Sequence, residues 1–179
     1  MYSEQAQRKI DKYEIYKEHY LTLPAPAFIM TMNAFDIPHL EHLHNFTNVE
    51  VVHTSFERYA FICYKATMPG GKHNFMTKIA SHKRDELIVD NYNLNGDYMY
   101  TTIETNENID ENSCKHKEIF LYNTESPQFN RVFMESVFKA KQPITREDED
   151  ILDQVSIHIP ESDIDPILDN YIKWYQNQN

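Results

Sequence analysis

The sequence has 179 residues and a mass of 21.3 kDa, which is enough for one domain with a hydrophobic core. Acidic residues outnumber basic residues by 28 to 17, and the net charge of −11 argues against a protein that binds nucleic acid through its phosphates. Only three glycines are present, and their spacing excludes the glycine-rich phosphate-binding loops and the nucleophile elbow of hydrolases.

The amino-terminal residues 1–22 are predicted to form a helix. Ala6, Ile10 and Tyr13 recur at intervals of three or four residues, as on the buried side of an amphipathic helix. The segment lacks the apolar stretch of a secretory signal, and the two cysteines are too few for a disulfide framework. We therefore expect a soluble, cytoplasmic protein. Its many lysines and asparagines are typical of AT-rich coding sequences, such as those of some phages and mobile elements.

Residues 27–122 are predicted to be mainly β-structure, because β-branched and aromatic residues are frequent there. The Asn95-Gly96 dipeptide is the strongest hairpin signal in this region. The polar stretch 106–117 is predicted to be an exposed loop. The predicted strands are Ala27–Met32, Val49–His53, Arg58–Thr67, His73–Ala80, Glu86–Asn91, Tyr98–Thr105 and Lys117–Tyr122.

Residues 126–179 are predicted to be helical, with helices that begin at Ser126-Pro127, Thr145 and Asp165-Pro166. The whole chain, 1–179, is thus predicted to be a single α+β domain. We expect an antiparallel β-meander of about five to seven strands, with the N-terminal helix and about three C-terminal helices packed on one face.

Three histidines lie close together in the sequence, at His39, His42 and His44. Because imidazole is a common metal ligand, this cluster is a candidate site for a transition metal such as zinc. On a helix His39 and His42 share a face, whereas on a strand His42 and His44 do so. No regular structure brings all three together, so surface positions are the alternative interpretation.

The acidic residues are concentrated at the C-terminal end. Residues 145–179 contain nine acidic and two basic side chains, a net charge of −7. Such a face either keeps the protein soluble and complements helix dipoles, or docks onto a basic partner protein. The candidate partner-binding residues are Glu147, Asp148, Glu149, Asp150 and Asp153.

The leading hypothesis is a non-enzymatic regulator or inhibitor that presents this acidic surface to a basic protein, which itself handles nucleic acid. It predicts no cofactor, no direct binding of nucleic acid and no membrane contact. The alternative is a metal-dependent enzyme of the hydrolase or nuclease type, in which His39, His42 and His44 act with carboxylates of the sheet.

Overall fold

The computed structural model describes residues 2–68, 71–81, 85–152 and 165–178. Within these ranges the chain forms one seven-stranded sheet and five helices. The helices are α1 (Glu4–Lys12), α2 (Ala27–Asn33), α3 (Ile37–His42), α4 (Arg131–Leu152) and α5 (Pro166–Gln176). The strands are β1 (Glu14–Leu23), β2 (Thr47–Phe56), β3 (Ala60–Thr67), β4 (His73–Ser81), β5 (Glu86–Asn93), β6 (Tyr98–Asn108) and β7 (Cys114–Tyr122).

The sheet is an antiparallel meander, and the predicted α+β class is confirmed. Strands β2 to β7 follow one another across the sheet in chain order, and β1 pairs with β7 at the far edge. The turn between β5 and β6 contains the expected Asn-Gly pair, and Gly96 has a φ of +84°, which a side chain would disfavour.

The prediction of one helix over residues 1–22 is wrong in its second half. Ser3 caps the short helix α1 by accepting a hydrogen bond from the Ala6 amide, and β1 begins at Glu14. Tyr16 and Tyr20 are four residues apart, a spacing that places side chains on one face of a strand as well as of a helix. Apolar spacing alone therefore could not distinguish the two structures here.

The predicted strand Ala27–Met32 is also wrong, because these residues belong to α2. Short apolar runs fit a buried helix as well as a buried strand, and α2 is buried at Ala27, Ile29, Thr31 and Met32. Helices α2 and α3 together connect the two edge strands β1 and β2.

Two further predictions need correction. The two helices expected from Ser126 and Thr145 are one helix, α4, whose first amides donate to the Asn130 side chain and which continues past Pro143. The expected loop 106–117 is mostly strand, because β6 extends to Asn108 and β7 begins at the fully buried Cys114. The last predicted helix is confirmed as α5.

The two faces of the sheet carry different layers. Helix α1 packs through Ala6 on the outer face, which is formed by Ile88, Ile103, Ile119 and Leu121. The opposite face, which we call the cavity face, is covered by α2, α3, α4 and α5. In the described part of the chain, no helix is long and apolar enough to cross a membrane.

Candidate active site

A cavity of about 490 Å³ lies between the cavity face and the helices. Its size is typical of sites that enclose a small organic molecule. Most of its lining is apolar, and the polar lining residues come from the sheet, from α2, α3 and α4, and from the turns next to them. The apolar side chains include Met30, Leu40, Phe46, Tyr64, Met68, Met76, Leu87, Val89, Met99, Tyr100, Phe133, Val137 and Ile144.

Two of the three predicted histidines meet in the wall of this cavity. Asp36 caps α3 by accepting a hydrogen bond from the His39 amide, and α3 ends at His42. The chain then turns, with Asn45 at a φ of +54°, and His44 lies in this turn. The Nε2 atoms of His39 and His44 are 3.0 Å apart, and both residues line the cavity.

The helix α4 supplies a carboxylate to the same cluster. Glu147 Oε2 lies 2.9 Å from Nδ1 of His44, whose side chain is 3% exposed. A carboxylate at Nδ1 favours the tautomer with its proton on Nδ1, so the Nε2 lone pair of His44 is directed towards His39. On the other side, the Asn33 amide nitrogen lies 3.1 Å from Nε2 of His39. Glu147 and Asn33 thus fix the orientation of the two rings.

The distance between the two histidines is that of an N–H···N hydrogen bond, and it is also compatible with two ligands of one metal ion. Two imidazole nitrogens at about 2.1 Å from one metal, bound side by side, are themselves about 3.0–3.4 Å apart. The observed 3.0 Å between the two Nε2 atoms fits this range. His42, in contrast, is exposed on α3. Among the described residues no group of three histidine, cysteine, aspartate or glutamate side chains converges on one point. Metal binding by His39, His42 and His44 therefore stays a prediction. The structure brings two of these residues, His39 and His44, together.

The acidic residues of the C-terminal region divide into described and undescribed groups. Glu147 is half-buried against His44. The side chains of Asp148, Glu149 and Asp150, and the whole of Asp153, lie outside the described residues. Of the candidate partner-binding residues, the structure therefore describes one side chain, which belongs to the histidine cluster at the cavity wall.

A second group of charged side chains lies in the cavity, where no sequence pattern predicts it. The Lys141 ammonium of α4 reaches Glu104 on β6 at 2.8 Å, and it also contacts Glu118 on β7. Glu104 and Glu118 are direct partners across the two strands. Burial, partly offset by Lys141, raises the pKa of Glu118 to about 7, whereas Lys141 and nearby His116 hold the pKa of Glu104 below its usual value despite its burial. The cluster therefore holds one ionised carboxylate, one ammonium and one carboxyl group that keeps its proton up to neutral pH.

Comparison with known proteins gives a fold and no sequence family. No family model matches the sequence, and no curated protein matches it. The NdmB structure from Pseudomonas putida CBB5 aligns over 93% of this chain and 49% of its own, with a TM-score of 0.62 and 12% identity. The quaternary ammonium Rieske monooxygenase CntA, in complex with its substrate γ-butyrobetaine, aligns over 84% of this chain and 39% of its own (TM-score 0.57, 11% identity). The ZhuI aromatase/cyclase of Streptomyces sp. R1128 aligns over 77% of this chain and 90% of its own (TM-score 0.52, 12% identity).

In this chain the aligned fold is the antiparallel meander sheet with the long helix α4. The chain has a Bet v1-like fold. It spans about half of the length of NdmB and less than half of that of CntA. The alignment with ZhuI, by contrast, covers 90% of the ZhuI chain.

The function predicted from the sequence is contradicted by these findings. A non-enzymatic regulator with an acidic docking surface does not account for a ligand-sized cavity in a Bet v1-like fold, whose solved neighbours include enzymes that bind small molecules. The alternative hydrolase or nuclease is contradicted as well. Its three histidines do not assemble, and the sheet carboxylates Glu104 and Glu118 are engaged by Lys141.

Proposed function

We propose that the chain is the substrate-binding, catalytic part of a metal-dependent enzyme that acts on a small organic molecule. The observation that carries the proposal is the pair of imidazoles, His39 and His44, whose Nε2 atoms lie 3.0 Å apart in the wall of the cavity. A cavity alone also suits a carrier protein. Two oriented imidazoles at metal-ligand spacing inside the cavity favour chemistry over transport.

The metal would be held by His39 and His44 together with a carboxylate from the acidic run of α4. Two histidines and one carboxylate form the ligand set typical of non-haem iron(II), which leaves coordination positions open. The run Glu147–Asp150 on α4 contains four carboxylates, of which Glu147 is the one whose side chain the structure describes. Bound iron(II) in such a set supplies redox chemistry or polarises a substrate oxygen.

The residues of this chain would have three tasks. Glu147 holds the proton of His44 at Nδ1 and so keeps its Nε2 available as a ligand. The apolar lining excludes water and binds the hydrocarbon part of the substrate. Helix α4 covers the sheet and supplies both Glu147 and Lys141 to the cavity.

Metal titration tests this proposal directly. We expect the purified protein to bind one iron(II) or cobalt(II) ion per chain under anaerobic conditions, with cobalt absorption bands reporting the ligand set. His39→Ala and His44→Ala should each weaken binding by at least about 100-fold. Asp148→Asn, Glu149→Gln and Asp150→Asn identify the carboxylate ligand, and Glu147→Gln tests the residue that orients His44. His42→Ala is the matched control, because His42 is exposed on the same helix, and it should bind metal normally.

Two results would contradict the proposal. One is a protein that binds neither iron(II) nor cobalt(II) at micromolar concentration. The other is binding that His44→Ala leaves unchanged, or that His42→Ala weakens as much as His44→Ala does. Circular dichroism of each variant establishes that the fold is retained before the comparison is made.

A further inference from the structure

Three polar side chains on the cavity face make no side-chain hydrogen bond to another described residue. Asn74 on β4, Asn91 on β5 and Thr102 on β6 are 9%, 3% and 2% exposed, and all three line the cavity. Their polar atoms are not among the fully enclosed, unpaired atoms of the described residues, so they open onto the cavity. Polar groups that open onto a largely apolar cavity mark the positions at which hydrogen bonds can hold a ligand.

The sheet register places the three groups in one line. Asn91 pairs with Met76 on β4 and with Tyr100 on β6. Asn74 lies two residues before Met76 on β4, and Thr102 lies two residues after Tyr100 on β6. Because β4 and β6 run in the same direction, the two side chains are displaced from Asn91 towards opposite ends of the sheet. Each step from Asn74 to Asn91 to Thr102 is therefore a diagonal contact between neighbouring strands, about 7–8 Å long. The line crosses a floor that is otherwise formed by apolar side chains such as Met76 and Val89.

The three side chains of this line are neutral, and each can both donate and accept hydrogen bonds. An asparagine side chain donates and accepts hydrogen bonds in one plane, and a threonine hydroxyl does both as well. Two of the charged groups nearby are engaged, because Lys141 binds Glu104 and Glu118, and the Lys78 ammonium donates to the Ala34 carbonyl at 2.9 Å. A third, Lys72, is exposed at the edge of the cavity, where its ammonium lies 5.9 Å from the centre of the Phe133 ring. The line itself therefore provides no charge to balance an ionic ligand.

We propose that the cavity binds a neutral, largely apolar compound that carries an amide-like group, for example a lactam. Asn91 binds the N–H and C=O edge of this group, with Asn74 and Thr102 on either side, while the apolar lining surrounds the rest of the compound. The proposal rests on the function proposed above, because it takes the cavity to be the substrate site, and it names the substrate class that the site selects.

Three matched probes test this selection by ligand-observed NMR titration. 2-Quinolinone carries the lactam, 2-methylnaphthalene has nearly the same shape without hydrogen-bonding groups, and 2-naphthoate carries a carboxylate. We expect wild-type protein to bind 2-quinolinone most tightly. Asn91→Leu should weaken the binding of 2-quinolinone by about 10- to 100-fold and leave 2-methylnaphthalene bound as before or more tightly. Thr102→Val, which keeps the shape of the side chain, should act in the same direction with a smaller effect.

Thermal melting without ligand separates recognition from structure. Because the amide of Asn91 makes no hydrogen bond to another described residue, Asn91→Leu should melt at the same temperature as wild type or higher, whereas loss of a structural amide would lower the melting temperature. Equal binding of the lactam and the hydrocarbon, with no effect of Asn91→Leu, would overturn the substrate class but leave the cavity as a binding site. Tightest binding of 2-naphthoate would also overturn it, in favour of an anionic ligand. A wild-type protein that binds none of the three probes would overturn this inference, whereas the proposed function is judged separately by the metal titration.

Discussion

Glu118→Gln provides a quantitative test of the charged cluster in the cavity. Glutamine has the shape of a protonated glutamate and does not titrate, so the variant fixes the neutral state of this position. In wild type, burial, partly offset by Lys141, raises the pKa of Glu118 from 4.5 to about 7. The native state therefore binds a proton that the unfolded chain releases between these two pH values.

The sign and size of the effect follow from proton linkage. A carboxyl group whose pKa is raised by folding stabilises the native state fully below pH 4.5, and this stabilisation is lost as the pH rises through about 7. The difference between the two pKa values corresponds to about 3 kcal/mol. We therefore expect wild type and Glu118→Gln to have similar free energies of unfolding near pH 4.5. Above pH 7.5 the variant should be more stable by about 3 kcal/mol.

The measurement is urea unfolding at pH 4.5, 6 and 8, with the free energy of unfolding extrapolated to water for each protein. Glu104→Gln is the matched control, because Glu104 also contacts Lys141 but has a lowered pKa. This variant removes one ionised partner of the buried ammonium and should be destabilised at pH 8, but by less than the roughly 3–5 kcal/mol of an unpaired buried charge, because Glu118 still contacts Lys141. If Glu118→Gln were instead less stable than wild type at pH 8, the ionised form of Glu118 would be the stabilising one, and the reasoning would be refuted.

Two further predictions concern groups away from the cavity lining. Burial raises the pKa of the Cys114 thiol to about 11 and also raises the pKa of the Cys63 thiol. Both thiols should therefore resist Ellman's reagent at pH 8 until urea unfolds the chain. Rapid labelling of the native protein would contradict their buried placement. The hydroxyl of Tyr171 is buried and has no hydrogen-bond partner among the described residues. Tyr171→Phe should therefore leave the melting temperature unchanged or raise it, and the free energy of unfolding should increase by at most about 1 kcal/mol. Tyr175→Phe is the control, because the Tyr175 hydroxyl bonds to Asp85 and its loss should be destabilising; a marked loss of stability in Tyr171→Phe would show that its hydroxyl has a partner.

Residue patterns within short segments predicted most of the sheet. They failed where the same pattern fits both a strand and a helix. Strands β2 to β7 have β-branched residues and turn signals, and the meander follows from joining neighbours by hairpins. Strand β1 was missed because the four-residue spacing of Tyr16 and Tyr20 suits both structures. Helix α2 was missed because a buried helix of this length lacks a polar face that would reveal its period.

The site was harder to predict, because it depends on positions that no regular period describes. His39 lies on α3, whereas His44 lies beyond the end of that helix, so an angle calculated for a continuous helix misplaces it. Glu147, which contacts His44, lies 103 positions further along the sequence. The polar line of Asn74, Asn91 and Thr102 depends on the strand register, which sequence alone did not supply.

The pairing of β1 with β7 has a consequence for the order in which the chain folds. Glu14 lies opposite Tyr122, so the first strand remains an unpaired edge until the last strand has formed. Strands β2 to β7 can pair as successive hairpins with short loops, but closing β1 onto β7 and docking α4 both require contacts across more than a hundred residues. We expect hairpin formation to come first and these two closures to come last. During synthesis on a ribosome, His39 and His44 emerge before Glu147, so their cluster assembles only after α4 has been synthesised.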